Sequence, residues 1–293
     1  MRFKPMREGK LSMALTFDGQ ADDRHFEITD TSGDPINVNE VVCPILKLID
    51  ETIWDFIGTG FFIASNGLFA TAKHVLLDAL DRESNQLQRL FIIQWLPNGT
   101  YILRNVQYVV AHSFMDVAVG SVWPRIHAQT GELLLTKSLT LTADQPSIGE
   151  VIFTYAYPET IVHHGPQPKI FLNPGYYPGR VEEYYPNGPD RVKLPFPCYR
   201  TSMWLHGGAS GGPVIDSRGH VFAINSAAFG GAPDISFVSR VIDILGLTLP
   251  DVSIGNASPT PMLIFELARQ GHLSFKPTLS HRVLNLSAPI FDA

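Results

Sequence analysis

The sequence predicts an all-β protein with its strands divided between two halves, on three observations: strand-length apolar runs, Asn-Gly hairpin turns and a scarcity of helix signals. Leu11 to Phe17 alternates apolar and small residues, and Cys43 to Ile49 forms a compact apolar run. Two hairpins are expected next. In the first, Gly60 to Ile63 and Leu68 to Ala72 flank Ala64-Ser65-Asn66-Gly67; in the second, Leu90 to Leu96 and Tyr101 to Ala111 flank Pro97-Asn98-Gly99-Thr100. Asn-Gly suits such turns because both residues tolerate positive φ. A second β-rich section starts near Gly149, reaches Ile215, and continues through Gly219 to Asn225 and Ile235 to Val238. Between Tyr157 and Pro197 the chain is crowded with Pro, Gly and Tyr, as in NPGYYPGR and YYPNGPD, and reads as long loops joined by short strands. Loops of this kind often carry specificity. Helices are expected only at Ser239 to Leu245 and at Met262 to Gln270, with Thr260 as N-cap, Pro261 in the first turn and Gly271 as the stop. An α/β architecture is poorly supported, and no internal repeat or low-complexity tract is present.

With 293 residues, 45% of them hydrophobic, the chain can bury a sizeable core as one large domain or two small ones. A net charge of -6 and a pI near 5.9 argue against nucleic acid or an anionic membrane as partner, since either favours a strongly basic face. The first thirty residues carry charges every few positions and lack the apolar stretch of a secretion signal. Nowhere does an apolar run approach the roughly 20 residues that span a bilayer. Two cysteines, Cys43 and Cys198, fit buried thiols in a reducing compartment, so a cytoplasmic location is expected. Without export, the glycosylation-type tripeptides at Asn98, Asn256 and Asn285 carry no meaning.

Chemistry concentrates in His206-Gly207-Gly208-Ala209-Ser210-Gly211-Gly212-Pro213. Glycines let the backbone turn so that the Gly208 and Ser210 N–H groups point together at a developing oxyanion while the serine hydroxyl faces a substrate carbonyl. A serine hydroxyl is a poor nucleophile near neutral pH and needs a base within hydrogen-bond reach. His74, at the end of a predicted hairpin, is the candidate base. Asp116, at the mouth of the apolar strand that comes after it, is the candidate carboxylate to fix the imidazole tautomer; an unpaired charge there would be costly. Zinc is set aside because His163 and His164 are adjacent and neither cysteine lies in a C-x-x-C pair. No dinucleotide or phosphate-loop glycine motif occurs either, so no cofactor is expected.

Thr71-Ala72-Lys73-His74, Asp116-Val117-Ala118 and Gly208-Ala209-Ser210-Gly211-Gly212-Pro213 resemble the three motifs of trypsin-like serine peptidases, in that family's order. They stand 42 and 94 residues apart, which leaves room for about half a barrel and one full barrel. The similarity covers roughly residues 40–247 and is greatest to the bacterial Deg/HtrA-type branch, through Gly219 to Asn225 and Asp234-Ile-Ser-Phe-Val-Ser. The resemblance implies two antiparallel six-stranded β-barrels of the chymotrypsin type with the active site in the cleft, and beyond them a short C-terminal helix and tail. On this reading residues 1–39 are an N-terminal extension, 40–130 the first barrel, 131–247 the second and 248–293 a C-terminal extension. It implies a serine endopeptidase acting on protein or peptide substrates, with His74, Asp116 and Ser210 catalytic and Gly208 and Ser210 forming the oxyanion hole. Trp204, Leu205, Asn225, Ser226 and Ala227 are expected to line the primary pocket, and since no acid is among them, cleavage after uncharged residues is expected.

Departures are informative. Ala209 replaces the aspartate that pairs with a newly cut N-terminus in digestive relatives, which argues against that activation. Val75 stands where a half-cystine usually comes after the histidine, and nothing after residue 247 resembles the peptide-binding module of Deg/HtrA proteins. Two alternatives stay open. Gly208-Ala209-Ser210-Gly211-Gly212 also fits the G-x-S-x-G elbow of α/β-hydrolase esterases, with Asp243 and His272 downstream, although Gly212-Pro213 and the residues after it read as strand, turn, strand. The second alternative is a latent module held shut until an activating protein partner binds.

Overall fold

Six antiparallel strands close into a first barrel: β1 (Val42–Leu48), β2 (Trp54–Phe62), β3 (Leu68–Thr71), β4 (Arg89–Trp95), β5 (Tyr101–Ala111) and β6 (Ala118–Val122), in the order β1-β2-β3-β6-β5-β4 with β4 returning to β1. Six more close a second: β7 (Val151–Ala156), β8 (Gly175–Tyr185), β9 (Cys198–Thr201), β10 (Pro213–Ile215), β11 (Val221–Ala228) and β12 (Ser236–Arg240), in the order β10-β7-β8-β9-β12-β11, with β11 pairing back onto β10. The expected two-barrel, all-β architecture is therefore the one observed. This computed structural model describes residues 14–17, 28–29, 34–50, 53–81, 86–97, 99–126, 131, 133–165, 168–228, 235–252 and 258–276. Expectations resting on residues 1–13 and 277–293, and on Asn98, Asp234, Asn256 and Asn285, lie outside the described residues.

Both hairpins form where Asn-Gly predicts them. The turn Ala64 to Gly67 is closed by the Gly67 N–H on the Ala64 carbonyl at 3.2 Å, and Gly99 closes the second on Leu96 at 2.9 Å. At the first turn only Gly67 takes positive φ, and Asn66 instead accepts from the Leu68 N–H with its side chain.

Three local readings are corrected. The Pro/Gly/Tyr-rich segment holds an eleven-residue strand, β8, because its backbone pairs with β7 over Gly175 to Arg180 and with β9 over Val181 to Tyr185. Two partners outweigh local turn propensity. The helix expected at Ser239 begins later, as a 3₁₀ helix over Val241–Gly246, since Ser239 and Arg240 are held in the ladder by Ile224 and Ala223. The last helix, α2 below, spans Ile264–Arg269 only: Thr260–Leu263 forms a strand paired with Thr248–Val252. A short helix outside the sequence expectations, α1 (Lys73–Leu77), comes after β3, and Ile264–Arg269 is then α2.

Beyond the barrels, Ala14–Phe17 runs parallel to Lys169–Leu172, which also pairs with Ile161–His163. The apolar face of α2 (Ile264, Phe265, Leu267, Ala268) is buried in a core continuous with the first barrel, whereas the second barrel has an inner cluster of its own that includes Ile152, Val181, Val214 and Val238. No helix among the described residues is long and apolar enough to cross a membrane.

Candidate active site

The Ser210 loop is held against the first barrel by hydrogen bonds. Thr59, on β2, is fully buried; its N–H donates to the Ser210 carbonyl at 2.9 Å and its hydroxyl to the Gly208 carbonyl at 2.9 Å. The same hydroxyl accepts from the Tyr157 N–H at 3.2 Å, and the Thr71 hydroxyl donates to the Thr59 carbonyl at 2.7 Å. Glycine is required where these backbones meet. Gly211 has φ +85°, and a Cβ there would stand 2.1 Å from the Thr59 carbonyl oxygen and 2.2 Å from the Thr71 hydroxyl. Gly208 has φ +94°, with the Phe56 ring 2.5 Å from where a Cβ would be. The glycines that flagged a nucleophile loop in the sequence therefore answer to steric contact as well as to backbone conformation.

His74 lies in the first turn of α1, whose Val75 and Leu76 are buried beneath it. Asp116 sits just before β6 and is 8% exposed. Its Oδ1 accepts the His74 backbone N–H at 2.9 Å and its Oδ2 meets the ring Nδ1 at 2.8 Å. A carboxylate only accepts, so neutral His74 carries its proton on Nδ1 and presents Nε2 as a base. The Ser226 hydroxyl also donates to Asp116 Oδ2. Burial is the largest single influence on His74 and pulls its pKa down; the hydrogen bond and charge of Asp116, with the charge of Asp78, outweigh it, so the net pKa lies above the ordinary imidazole value. The loop bearing Asp116 is braced in turn: His112 Nδ1 accepts the Met115 N–H at 2.9 Å, and the Lys73 ammonium donates to the Ser113 carbonyl at 2.8 Å.

These two groups of residues converge. Ser210 and Ser226 line one cavity of about 250 Å³, and Ser226 is bonded to Asp116. At Gly58 a Cβ would lie 2.8 Å from Val75, the neighbour of His74, and 3.0 Å from the Ser210 carbonyl oxygen. Leu205, Asn225 and Ala227 share the cavity lining. Trp204, expected beside them, is instead 55% exposed, rests on the His206 ring at 5.4 Å and is not part of that lining. The Gly207 carbonyl accepts the Glu159 N–H at 2.9 Å, which fixes the peptide carrying the Gly208 N–H and points that N–H the opposite way. Among the described residues neither the Gly208 nor the Ser210 N–H has a protein acceptor.

Sequence reasoning missed Thr59 and the bond from Ser226 to Asp116. For Thr59 the Gly58-Thr59-Gly60 run is a trace, since small residues in a strand mark a place where another backbone comes close; the Ser226 bond leaves none. The esterase alternative fails on the fold. Directly after the Ser210 loop come β10, a turn closed by the Gly219 N–H on Asp216, and β11, where an elbow serine requires a helix; Asp243, moreover, is held by Arg240 at 2.5 Å. No group of three His, Cys, Asp or Glu side chains among the described residues is arranged to hold a metal ion.

Residues 58–224 match the trypsin-like peptidase domain family. No curated protein matches the chain. Among solved structures the fold is similar to Deg5 (21% identity, 69% of this chain and 84% of that one, TM-score 0.51). Matches of lower TM-score include the HtrA-type protease AlgW with a tripeptide (18% identity, 69% and 57% covered, TM-score 0.47) and the MamO protease domain from Magnetospirillum magneticum (16% identity, 69% and 92% covered, TM-score 0.47). With the family's motif order carried on the family's two barrels, the chain belongs to the trypsin-like serine peptidases.

Proposed function

We propose that the protein hydrolyses peptide bonds through an acyl-enzyme on Ser210, with His74 as general base and Asp116 as its orienting carboxylate. The observation that carries this reading is the doubly bonded Asp116–His74 pair, joined through Ser226 to the cavity that Ser210 lines. His74 Nε2 takes the Ser210 proton, Ser210 Oγ attacks the carbonyl carbon, and the negative charge collects on the carbonyl oxygen. The Gly208 and Ser210 N–H groups receive that charge; each such donor is typically worth about 3 kcal/mol in the transition state. His74 then returns the proton to the leaving amine, and water deprotonated by the same imidazole releases the acyl group. The protein needs no metal or organic cofactor for this sequence of steps.

Substrates are proteins or peptides, cut after an uncharged residue, because no carboxylate among the described residues lines the cavity beside Ser210. The reading includes work in a reducing compartment such as the cytoplasm. Cys43 and Cys198 are buried and unlinked, and burial raises both thiols, Cys198 to about 12. A peptide-library digest tests the proposal: wild type is expected to cleave, and Ser210→Ala to leave the library intact. Cleavage that survives in Ser210→Ala, or a preference for Lys or Arg before the cut, contradicts it.

A further inference from the structure

The turn that delivers Asp116 to His74 is held by a ring nitrogen. It leaves β5 at Ala111 and enters β6 at Ala118, and the His112 N–H on the Val117 carbonyl at 3.0 Å closes its base. Apolar packing does little to shape it. Ser113 and Phe114 are exposed, and of the residues between His112 and Asp116 only Met115 packs against the core. Polar bonds set its course instead. His112 Nδ1 lies 3.1 Å from the Phe114 nitrogen and 2.9 Å from the Met115 nitrogen and accepts both N–H groups. Lys73, the residue before His74, donates to the Ser113 carbonyl of the same turn at 2.8 Å.

Two backbone donors require a bare acceptor, so the ring is neutral and carries its proton on Nε2. A proton on Nδ1 would set donor against donor at both bonds. Resting on the peptidase reading above, we infer that His112 is a positioning residue: its Nδ1 holds the turn that sets Asp116 against His74, and protonation of that nitrogen releases it. Burial disfavours the protonated ring, the charge of Asp243 on the 3₁₀ helix, itself countered by Arg240, favours it, and Lys73 on α1 opposes it; the pKa lies below the ordinary imidazole value. Release therefore comes at lower pH than protonation of His74, whose pKa is raised.

The test is the pH profile of kcat/KM, from about pH 8 to about pH 5, for wild type, His112→Ala and His112→Asn. Asn is the informative variant, because its Oδ1 stands on Cγ as His Nδ1 does, accepts N–H groups two and three residues on, and does not titrate. The acid limb of wild type is expected to steepen from a slope of about one, due to His74, to about two at its lower end. His112→Ala is expected to lose about tenfold at the plateau, the scale of one to two hydrogen bonds, and His112→Asn to recover that loss while keeping a slope of about one throughout. A wild-type limb of slope about one throughout overturns the inference and leaves the peptidase reading standing; so does folded His112→Asn that steepens like wild type or shares the loss of His112→Ala. Magnetic resonance of wild type with labelled histidine nitrogens needs no variant: Nδ1 of His112 is expected to be unprotonated at about pH 8, with the Phe114 and Met115 amide signals following its titration, and a proton on Nδ1 there overturns the inference. Failure of wild type to cleave any peptide at any pH removes the peptidase reading and the positioning role with it.

Discussion

Asp116 accepts from the His74 backbone, the His74 ring and Ser226, and that convergence determines how the site should respond to pH and substitution. The base must be neutral to act, and its pKa is raised above 6.5, so the acid limb of kcat/KM is expected above that value. In Asp116→Asn the charge that raises it is gone; the limb should move to lower pH and the rate fall by about 10⁴-fold, because the ring also loses its tautomer. The same shift has a sign for stability: protonated His74 stabilises the fold below 6.5, and this contribution is lost as pH rises through the raised folded value. Urea midpoints of wild type and His74→Ala measured across that range check it. Ser226→Ala should lower kcat/KM about tenfold by removing one charge-assisted donor, with the urea midpoint little changed. His74, Asp116 and Ser210 were legible as candidates through their resemblance to the family's three motifs, whose order belongs to the fold and is not demanded by the chemistry. Thr59 and Ser226 act across 149 and 110 residues through backbone and second-partner bonds, for which a single sequence has no code.

At the scale of elements, the Ser210 loop is defined by its fit against β2 and β3. Gly211→Ala forces a Cβ into the space of the Thr59 carbonyl at a positive φ, so a loss of at least about 2 kcal/mol in unfolding free energy is expected, together with loss of turnover. A denaturant midpoint that stays at the wild-type value would show that the loop adapts and that the contact does not define the site. This region was legible in sequence, since glycines at close approaches and the Asn-Gly turns each have a local cause. Local signals misled where tertiary pairing prevailed. Pro178 and the tyrosines around it signal a loop, yet Pro178 stands opposite Phe153 in the β7–β8 ladder. Thr260 and Pro261 look like a helix start, yet pairing with Thr248–Val252 draws them into a strand.

For the whole molecule, two barrels supply the two sides of the cleft, and the C-terminal segment is part of the structure that holds them. Phe265 on α2 is 1% exposed and belongs to a core that joins the first barrel to Phe153, Ile215 and Ile224 of the second. Phe265→Ala is therefore expected to cost about 3–5 kcal/mol in one cooperative unfolding transition; separate transitions for the two barrels would contradict a shared core. The barrel count was legible only through the family's motif order, because closure depends on which distant strands pair. The central claim is that Ser210 is a nucleophile activated by His74 across the cleft. Its most direct test is labelling of purified wild type, Ser210→Ala and His74→Ala with a fluorophosphonate probe, read by intact mass and site mapping. One adduct on Ser210 of wild type, none on Ser210→Ala and much slower labelling of folded His74→Ala is the expected result; an adduct that survives in Ser210→Ala, or labelling indifferent to His74, would contradict it.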